Sequence, residues 1–356
     1  MRVMSVVGAR PQFVKLAPID WALREAGTDH IIVHTGQHYD PLLSDVFFSD
    51  LRISPPDEHL GVGSGTHGVQ TGRMMAAMDP VLARHRPDWA LVYGDTNSTL
   101  AAALAAVKLH IPTAHLEAGL RSFNRSMPEE VNRVLTDHAA DLLLAPTAAA
   151  AAHLEAEGLG GRAVVVGDVM ADVLARVRDE VAGQGPSAVE RSLGLTAGSY
   201  SLATIHRPSN TDDPDRLDAL LTSLGRVGHP VVLLAHPRLV AACTRAGAPI
   251  ARGGLVAHPP LPYPELVSAM MRARGVITDS GGLQKEAFLL RVPATTVRAE
   301  TEWVETVELG WNVLVGTGDD LVEAASRPRP ADTGAAPYGD GRAAARVARL
   351  LAERAR

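Results

Sequence analysis

Residues 275–286 of the chain read GVITDSGGLQKE, an apolar run that ends in a turn and continues into a helix. Gly281 and Gly282 allow the backbone to approach a ligand closely, because glycine has no Cβ atom. The helix start that follows offers free N–H groups and the positive end of the helix dipole, which suit a diphosphate. Glu286 lies about two turns into this helix, where its carboxylate is placed for ribose hydroxyls. The stretch therefore predicts one half of a nucleotide-sugar site, and the other half must come from elsewhere in the chain.

The composition indicates a soluble globular protein. Its 356 residues suggest two domains, and 46% hydrophobic and 21% charged residues are ordinary for such proteins. A net charge of −6 gives no reason to expect a nucleic-acid partner. The single cysteine, Cys243, excludes an intramolecular disulfide and fits a reducing, cytoplasmic location. The N-terminal residues MRVMSVVGARP read as a first strand rather than a signal peptide, and no apolar run is long enough for a membrane span.

Apolar strand-like runs alternate with helical patterns along the chain. The strand-like runs are residues 3–7, 31–35, 90–93, 112–116, 142–145, 163–166, 200–205, 231–234, 255–257, 276–278 and 294–297. The helical patterns cover residues 13–26, 68–84, 98–107, 148–157 and 342–353. This alternation predicts an α/β fold with parallel sheets and helices on both faces.

A looser segment, residues 183–187, interrupts the alternation and suggests two Rossmann-like, doubly wound domains. We expect residues 1–168 to form the first domain and residues 169–338 to form the second, nucleotide-binding one. The terminal helix within residues 339–356 is expected to return to the first domain. Ligands of such sheets bind beyond the carboxyl ends of the strands, so chemistry is expected in a cleft between the domains.

The first strand ends are followed by cations and by an acid. Arg10 and Lys15 flank the helix start after residues 3–7, a suitable place for phosphate oxygens. An ordinary strand–helix turn with two solvated cations explains them equally well. Asp95 follows residues 90–93 and is either a carboxylate of the site or, like Thr96, the cap of the next helix.

Two further acids follow residues 112–116. Glu117 comes directly after a buried strand and is either a site carboxylate or a surface acid paired with Arg121. Ser126 and Glu129 have the spacing of a capping box at a helix start. A second role for Glu129 requires that this helix start faces the site.

Histidines mark two strand ends in the second half. His206 and Arg207 follow residues 200–205, and His236 follows residues 231–234. A lone histidine at a strand end is more often structural. Together with Arg207 and the glycine-rich helix start of the same domain, a role at a phosphate becomes reasonable.

Taken together, these segments resemble the non-hydrolysing UDP-N-acetylglucosamine 2-epimerase family over nearly the whole chain. The matching motifs are, in chain order, Gly8-Ala9-Arg10-Pro11, Thr35-Gly36-Gln37-His38, Gly94-Asp95-Thr96, His115-Leu116-Glu117-Ala118-Gly119-Leu120-Arg121, Pro128-Glu129-Glu130-Val131-Asn132-Arg133, Thr204-Ile205-His206-Arg207 and Asp279-Ser280-Gly281-Gly282-Leu283-Gln284. So many ordered matches are far more specific than any one of them. The resemblance implies a GT-B architecture, two Rossmann-like domains with the site between them, usually in a homodimer.

The resemblance also implies a reaction and a set of roles. The family inverts C2 of the sugar by eliminating UDP to a 2-acetamidoglucal and adding UDP back, which needs neither a redox cofactor nor a metal. The residues implied as catalytic are Asp95, Glu117, Glu129 and His206. The residues implied as substrate-binding are Arg10, Lys15, Arg207, His236, Ser280, Gly281, Gly282, Glu286 and Trp303. The resemblance does not assign the carboxylates to the two faces of the sugar.

The chain departs from the common family pattern at a few positions. Gln12 stands where many members have glutamate, and Trp303 stands where many have an arginine near the phosphates. These variants are similar to branches that act on other UDP-2-acetamido sugars. At the family's regulatory second nucleotide-sugar site, Gln37 and His38 match, whereas Asp40 and the pair Pro208-Ser209 differ.

Several functions remain open at this stage. The leading interpretation is a UDP-N-acetylglucosamine 2-epimerase, and a C3-modified UDP-2-acetamido sugar is an alternative substrate. A hydrolysing relative would release UDP and free N-acetylmannosamine. A GT-B glycosyltransferase is a further alternative, because Glu300 and Glu308 have the spacing found in some retaining members. A catalytically inactive homologue is disfavoured by the presence of all three carboxylates.

Overall fold

A computed structural model describes residues 1–37 and 53–355, without the side chain of Arg10. The motif residues His38 and Asp40 lie outside the described residues. The chain divides into two compact units, Met1–Val173 with Ala336–Arg356, and Leu174–Ala335. The sequence placed these divisions at residues 168 and 338. The observed first division falls within a helix, which hydrophobic periodicity alone does not reveal.

Unit 1 contains one parallel sheet of seven strands in the order β3-β2-β1-β4-β5-β6-β7. The strands are β1 (Arg2–Val7), β2 (Asp29–His34), β3 (Glu58–His59), β4 (Trp89–Tyr93), β5 (Thr113–Leu116), β6 (Leu142–Ala145) and β7 (Ala163–Val165). The helices are α1 (Arg10–Glu25), α2 (His67–His85), α3 (Asn97–Lys108), α4 (Pro128–Ala139), α5 (Ala148–Ala156), α6 (Val169–Val181), which runs across the division, and α15 (Ala343–Arg354). The sequence did not predict β3, because a strand of two residues leaves no periodicity.

Unit 2 contains a second parallel sheet in the order β10-β9-β8-β11-β12-β13. The strands are β8 (Ser201–Thr204), β9 (Val231–Leu234), β10 (Leu255–His258), β11 (Gly275–Thr278), β12 (Ala294–Val297) and β13 (Asn312–Val315). The helices are α7 (Ala188–Leu193), α8 (Pro208–Thr211), α9 (Pro214–Gly225), α10 (Pro237–Ala246), α11 (Tyr263–Arg272), α12 (Gly281–Leu289), α13 (Val304–Glu308) and α14 (Asp319–Ser326). Both sheets have the strand order of dinucleotide-binding folds, and the predicted α/β, GT-B fold class is confirmed.

Each sheet is covered on both faces, as strand β4 illustrates. Its residues are all buried, and they alternate between two cores. Leu91 and Tyr93 pack into one hydrophobic cluster, whereas Ala90 and Val92 pack into the cluster on the opposite face. Successive side chains of a strand point to opposite faces, so a strand covered on both sides is apolar throughout. The apolar runs seen in the sequence follow from this arrangement.

Helix α15 completes the core of unit 1. Val347 and Leu351 belong to the same hydrophobic cluster as Leu16 of α1. The indole of Trp89 donates a hydrogen bond to the carbonyl oxygen of Leu351 at 3.1 Å. The start of α15 is held by the Asp172 carboxylate, which accepts two backbone N–H groups at 3.0 and 2.7 Å.

Among the described residues, none of the helices has the length and apolar character that crossing a membrane requires.

Candidate functional site

Two acidic residues of unit 1, Asp95 and Glu117, follow the ends of two neighbouring strands. Tyr93 of β4 is paired with Leu116 of β5, so the next residues of both strands start from one edge. The N–H of Gly94 donates to the carbonyl of Leu116 at 3.0 Å, which fixes the turn that carries Asp95. Parallel pairing therefore brings the turns of Asp95 and Glu117 side by side.

The backbone of Glu117 adopts a conformation that is rare for a residue with a side chain. Its φ angle is +74°, and its N–H donates to the carbonyl of Leu144 at 3.1 Å. Such a conformation costs about 1–3 kcal/mol and persists only where the surroundings impose it. This backbone conformation places the Glu117 carboxylate beyond the strand end, which is where ligands of such sheets bind.

Lys15 forms an ion pair with Glu117. Both side chains are about 15% exposed, so the pair is largely shielded from solvent. Burial lowers the pKa of Lys15, but the Glu117 carboxylate, with smaller contributions from Asp95 and Asp168, outweighs this effect and the pKa lies above its ordinary value. Lys15 therefore stays protonated beside the carboxylate. The alternative in which Glu117 pairs with Arg121 is wrong, because Arg121 pairs with Asp137 and Glu157 instead.

Helix α4 holds the Asp95 turn. Arg133 forms an ion pair with the Asp95 carboxylate and a second one with Glu130 at 2.9 Å. Asn132 donates to the backbone carbonyl of Asp95 at 3.0 Å. Asp95 itself does not cap α3, because the N-cap is Thr96, whose hydroxyl accepts from the backbone of Thr99. The Asp95 carboxylate is thus not used for capping and pairs with Arg133 instead.

The predicted capping box of Ser126 and Glu129 is wrong. Helix α4 begins at Pro128, its N-cap is Met127, and no side chain caps it. The hydroxyl of Ser126 donates instead to Asn124 at 2.7 Å. Glu129 is exposed in the first turn of the helix. Its carboxylate is therefore not committed to capping.

We expect Glu129→Gln to lower kcat by about 10²-fold, the usual size of a lost acid–base role, without lowering the melting temperature. The reason is that Glu129 is exposed and does not cap α4. Initial rates and thermal denaturation of the same preparation test this. The neighbouring Glu130→Gln is a matched contrast, since Glu130 is buried and accepts the N–H groups of Ser122 and Phe123. A melting temperature lowered by Glu129→Gln with full activity would contradict the expectation.

Asp279 is the centre of the strand-end cluster in unit 2. Thr278 of β11 is paired with Thr204 of β8, which brings Asp279 level with the segment that carries His206 and Arg207. The fully buried Asp279 carboxylate accepts the N–H groups of both residues, at 3.1 and 2.9 Å, and the side-chain amide of Asn210 at 3.0 Å. Burial raises the pKa of Asp279, but these donors outweigh it and hold the pKa below its ordinary value.

The two strand-end histidines of unit 2 come together. Nδ1 of His206 lies 3.1 Å from Asp279, and its imidazole is 39% exposed. The rings of His206 and His236 are 5.5 Å apart between centroids. His236 caps α10, because its Nδ1 accepts the N–H of Arg238. Burial and the nearby His206 and Arg238 lower the pKa of His236, so its ring is neutral at physiological pH and offers Nε2–H as a donor.

The segment that contains Glu302 and Trp303 packs against the glycine-rich turn. Helix α12 begins at Gly281 after the N-cap Ser280, whose side chain makes no capping hydrogen bond. A Cβ atom on Gly281 would clash with the Glu302 carboxylate and lie 3.6 Å from Nε1 of Trp303. Nζ of Lys285 lies 4.2 Å above the Trp303 ring, a cation–π contact. Trp303 thus lies beside the predicted diphosphate-binding turn, whereas Gly282 has an open approach.

Glu286 is half-buried and receives a hydrogen bond from the hydroxyl of Tyr263 at 3.1 Å. Burial raises the pKa of Glu286 to about 7, and the Tyr263 hydrogen bond only partly opposes this. A carboxyl group in this state both accepts and donates hydrogen bonds near neutral pH, which suits a pair of hydroxyls.

Sequence reasoning missed several residues of these clusters. Asp168 follows β7 after Gly167, just as Asp95 follows β4 after Gly94, and it lines a small cavity with Lys15 and Glu117. The strand-end rule applied elsewhere was sufficient to find it. The anchoring roles of Arg133 and Asn132 were not predicted, because nothing in the sequence links α4 to the turn of Asp95. Within the described ranges, no group of three or more histidine, cysteine, aspartate or glutamate side chains has the arrangement of a metal site.

Comparison with known proteins identifies the family of the chain. A family model described as UDP-N-acetylglucosamine 2-epimerase matches residues 22–352. The UDP-2,3-diacetamido-2,3-dideoxy-D-glucuronate 2-epimerase of Pseudomonas aeruginosa is 43% identical, over 99% of this chain and 100% of its own. The UDP-N-acetylglucosamine 2-epimerase of Methanocaldococcus jannaschii is 37% identical, over 99% of both chains.

A crystal structure of the Methanocaldococcus jannaschii UDP-GlcNAc 2-epimerase, in complex with UDP-GlcNAc and UDP, superimposes with a TM-score of 0.79. It covers 99% of this chain and 100% of its own at 36% identity. The family inferred from the motifs is thereby confirmed, and the chain belongs to the UDP-N-acetylglucosamine 2-epimerase family.

Proposed function

We propose that the protein is a non-hydrolysing 2-epimerase that interconverts UDP-N-acetylglucosamine and UDP-N-acetylmannosamine without an added cofactor. The observation that carries this proposal is the pair of neighbouring turns bearing Asp95 and Glu117, with Lys15 ion-paired to Glu117. Acids and bases arranged around a sugar ring are what inversion at C2 requires, because its hydrogen is not next to a carbonyl group.

The proposed reaction has two halves. A carboxylate removes the C2 proton while the C1–O bond to UDP breaks, and the electron pair of the C2–H bond forms the C1=C2 double bond of 2-acetamidoglucal. UDP then adds back to C1, and C2 receives a proton on the opposite face. The sum is redox-neutral, and UDP is both the leaving group and the returning nucleophile.

We propose different roles for the groups of each unit. In unit 1, Asp95, Glu117 and Glu129 are proposed to move the C2 proton and to stabilise positive charge on the sugar, with Lys15 and Arg10 as cations. In unit 2, cationic and N–H groups are proposed to hold the diphosphate, because preorganised donors stabilise the charge that develops on the leaving group. Those groups are His206, Arg207, His236, Ser280, Gly281 and Gly282. Glu286 is proposed to bind the ribose.

The decisive experiment is proton NMR of the purified protein with UDP-N-acetylglucosamine in D₂O. We expect UDP-N-acetylmannosamine to appear and deuterium to enter C2. Turnover without deuterium at C2 would contradict the elimination. Stoichiometric free UDP would assign the protein to the hydrolysing relatives instead.

A second candidate substrate is a UDP-2-acetamido sugar that is modified at C3. Two observations favour it. The Pseudomonas aeruginosa relative, at 43% identity, carries a 2,3-diacetamido sugar in its name. In addition, Trp303 lies beside the glycine-rich turn, where many family members have an arginine. An indole offers a flat apolar face and one N–H donor, which suits a substituted sugar better than a phosphate.

We expect Trp303→Arg to change the ratio of kcat/KM values for UDP-N-acetylglucosamine and a C3-acetamido analogue by at least about tenfold, because the loss of an apolar contact to only one of two substrates costs about 1–3 kcal/mol. Activity itself is expected to survive. Trp303→Phe is the control, since it keeps the flat apolar ring and should keep the wild-type preference. Equal fold-changes for both substrates in Trp303→Arg would show that Trp303 does not distinguish the sugars.

We further propose a homodimer and a cytoplasmic location. Their support is the family resemblance and, for the location, the single cysteine, Cys243. Light scattering of the purified protein tests the first proposal, and cell fractionation tests the second.

A further inference from the structure

A buried histidine lies two residues before Glu117, at the end of β5. His115 is fully shielded from solvent. Its Nδ1 lies 2.6 Å from the Asp137 carboxylate of α4, and its Nε2 lies 2.7 Å from the carbonyl oxygen of Gly94. Gly94 is the residue before Asp95. One imidazole therefore connects helix α4 with the Asp95 turn.

The hydrogen-bond partners of His115 hold its ring on both sides. A carbonyl oxygen only accepts, so Nε2 must carry a hydrogen. The Asp137 carboxylate receives two further donors on its other oxygen, the N–H of Gly119 at 3.1 Å and the guanidinium of Arg121 at 2.7 Å. Burial raises the pKa of Asp137, but His115 and Arg121 outweigh this effect and hold the pKa below its ordinary value. The Asp137 carboxylate therefore faces Nδ1, and the Gly94 carbonyl oxygen faces the other side of the ring.

The contacts of this imidazole continue along the unit. Asp137 lies between His115 and Arg121, and Arg121 continues to Glu157 at 2.7 Å. Buried charges are tolerated where each has a partner of opposite sign and good hydrogen bonds. The Asp137 carboxylate meets this condition through Arg121.

The same row of contacts reaches both catalytic turns. Asp137 holds the N–H of Gly119, whose φ angle is +82°, and thus the far end of the turn that starts at Glu117. Through His115 it also holds Gly94, and thus the near end of the Asp95 turn. The spacing of the two turns therefore depends on one hydrogen-bonded chain, Gly94–His115–Asp137–Gly119.

We propose that His115 is a positioning residue whose imidazole joins Gly94 to Asp137 and so sets the relative placement of Asp95 and Glu117. This role rests on the proposed function, because it presumes that those two carboxylates act on the sugar. The hydrogen bond from His115 to Gly94 does not depend on that assumption, so the two parts are tested by separate measurements.

The first test measures the hydrogen bond from His115 to Gly94 in the wild-type protein. Ring-nitrogen NMR of ¹⁵N-histidine-labelled protein is recorded, and comparison with the His115→Gln spectrum assigns the signals. We expect the Nε2–H hydrogen of His115 to exchange slowly with solvent, because the imidazole is buried and Nε2 lies 2.7 Å from the Gly94 carbonyl oxygen. A His115 Nε2 without a hydrogen, or with one that exchanges freely, would overturn the proposal, whatever the enzymatic activity of the protein.

The second test measures what the imidazole does. We expect His115→Gln, which keeps a donor but loses the ring that joins Gly94 to Asp137, to lower kcat by about 10²-fold, a size that a misplacement of about 1 Å in an active site produces. KM should change little. The fraction of turnovers that release free UDP and 2-acetamidoglucal should rise, because misplaced carboxylates slow the re-addition step.

The chain offers a matched control. His30 forms a similar buried pair with Asp20 at 2.8 Å in the same unit, but at the start of β2. Its Nε2 faces the hydroxyl of Ser5, so its ring is not bonded to a turn that carries a proposed catalytic carboxylate. His30→Gln is expected to lower stability without releasing the intermediate.

Comparison of the two variants below both melting temperatures decides between positioning and stability. Equal kcat values and equal release of intermediate would overturn the positioning role. Absence of epimerase activity in the wild type would instead contradict the proposed function, while the NMR result for His115 would still stand or fall by itself.

Discussion

Replacement of Glu117 by glutamine is expected to lower kcat by about 10³-fold, within the range of a lost general acid or base. The substitution keeps the shape and the φ angle of +74°, so the backbone strain is the same in both proteins. It removes only the negative charge that pairs with Lys15 and that is proposed to act at C2. The loss should therefore appear in kcat, with a folded protein and a small change in KM.

Steady-state rates of UDP-N-acetylglucosamine turnover measure this effect. Glu58→Gln is the matched control, because Glu58 is another glutamate of unit 1 with ion-pair partners, Arg84 and His85. It lies on the edge strand β3, away from the strand ends of Asp95 and Glu117. A Glu117→Gln protein that retains kcat within about tenfold of the wild type would remove Glu117 from the catalytic set.

Replacement of Asp279 by alanine is expected to destabilise unit 2 by about 3–5 kcal/mol, the usual cost of removing one partner from a buried charged network. The backbone N–H groups of His206 and Arg207 and the amide of Asn210 would all lose their acceptor. The melting temperature should fall by about 10 °C or more. Asp212→Ala is the control, since Asp212 is exposed and lies 3.6 Å from Arg238.

The pH dependence of this difference has a definite sign. The pKa of Asp279 is held below its ordinary value of 3.8 in the folded protein. A carboxyl group with a lowered pKa contributes stability that is fully present above its ordinary pKa and is lost as pH falls through the folded value. The gap between wild type and Asp279→Ala should therefore shrink below about pH 4. A gap that grows in this acidic range would contradict this account.

The strand ends were predictable because the strands are buried on both faces. Strands such as β4 and β11 are short apolar runs, and each is followed by a turn that carries an acid, Asp95 or Asp279. Parallel sheets place such turns at one edge, so listing them was enough to find most residues of both clusters. The fold class followed from the same alternation of strands and helices.

The partners of these residues were not predictable in the same way. Lys15 and Glu117 are 102 positions apart, and Arg133 and Asp95 are 38 apart, so no local pattern links them. The capping box failed for a different reason. The spacing of Ser126 and Glu129 was correct, but Asn124 engages the Ser126 hydroxyl and the helix starts later.

Helix α15 has a consequence for biosynthesis. It belongs to the core of unit 1, although all of unit 2 precedes it in the chain. When a ribosome has finished Met1–Val173, the hydrophobic core of unit 1 is still incomplete, and the indole of Trp89 still lacks the Leu351 carbonyl. Leu174–Ala335 can fold in order of synthesis, whereas the core of unit 1 remains open until α15 has left the exit tunnel. Nascent chains stalled before residue 343 should accordingly expose the face of α1 that α15 covers.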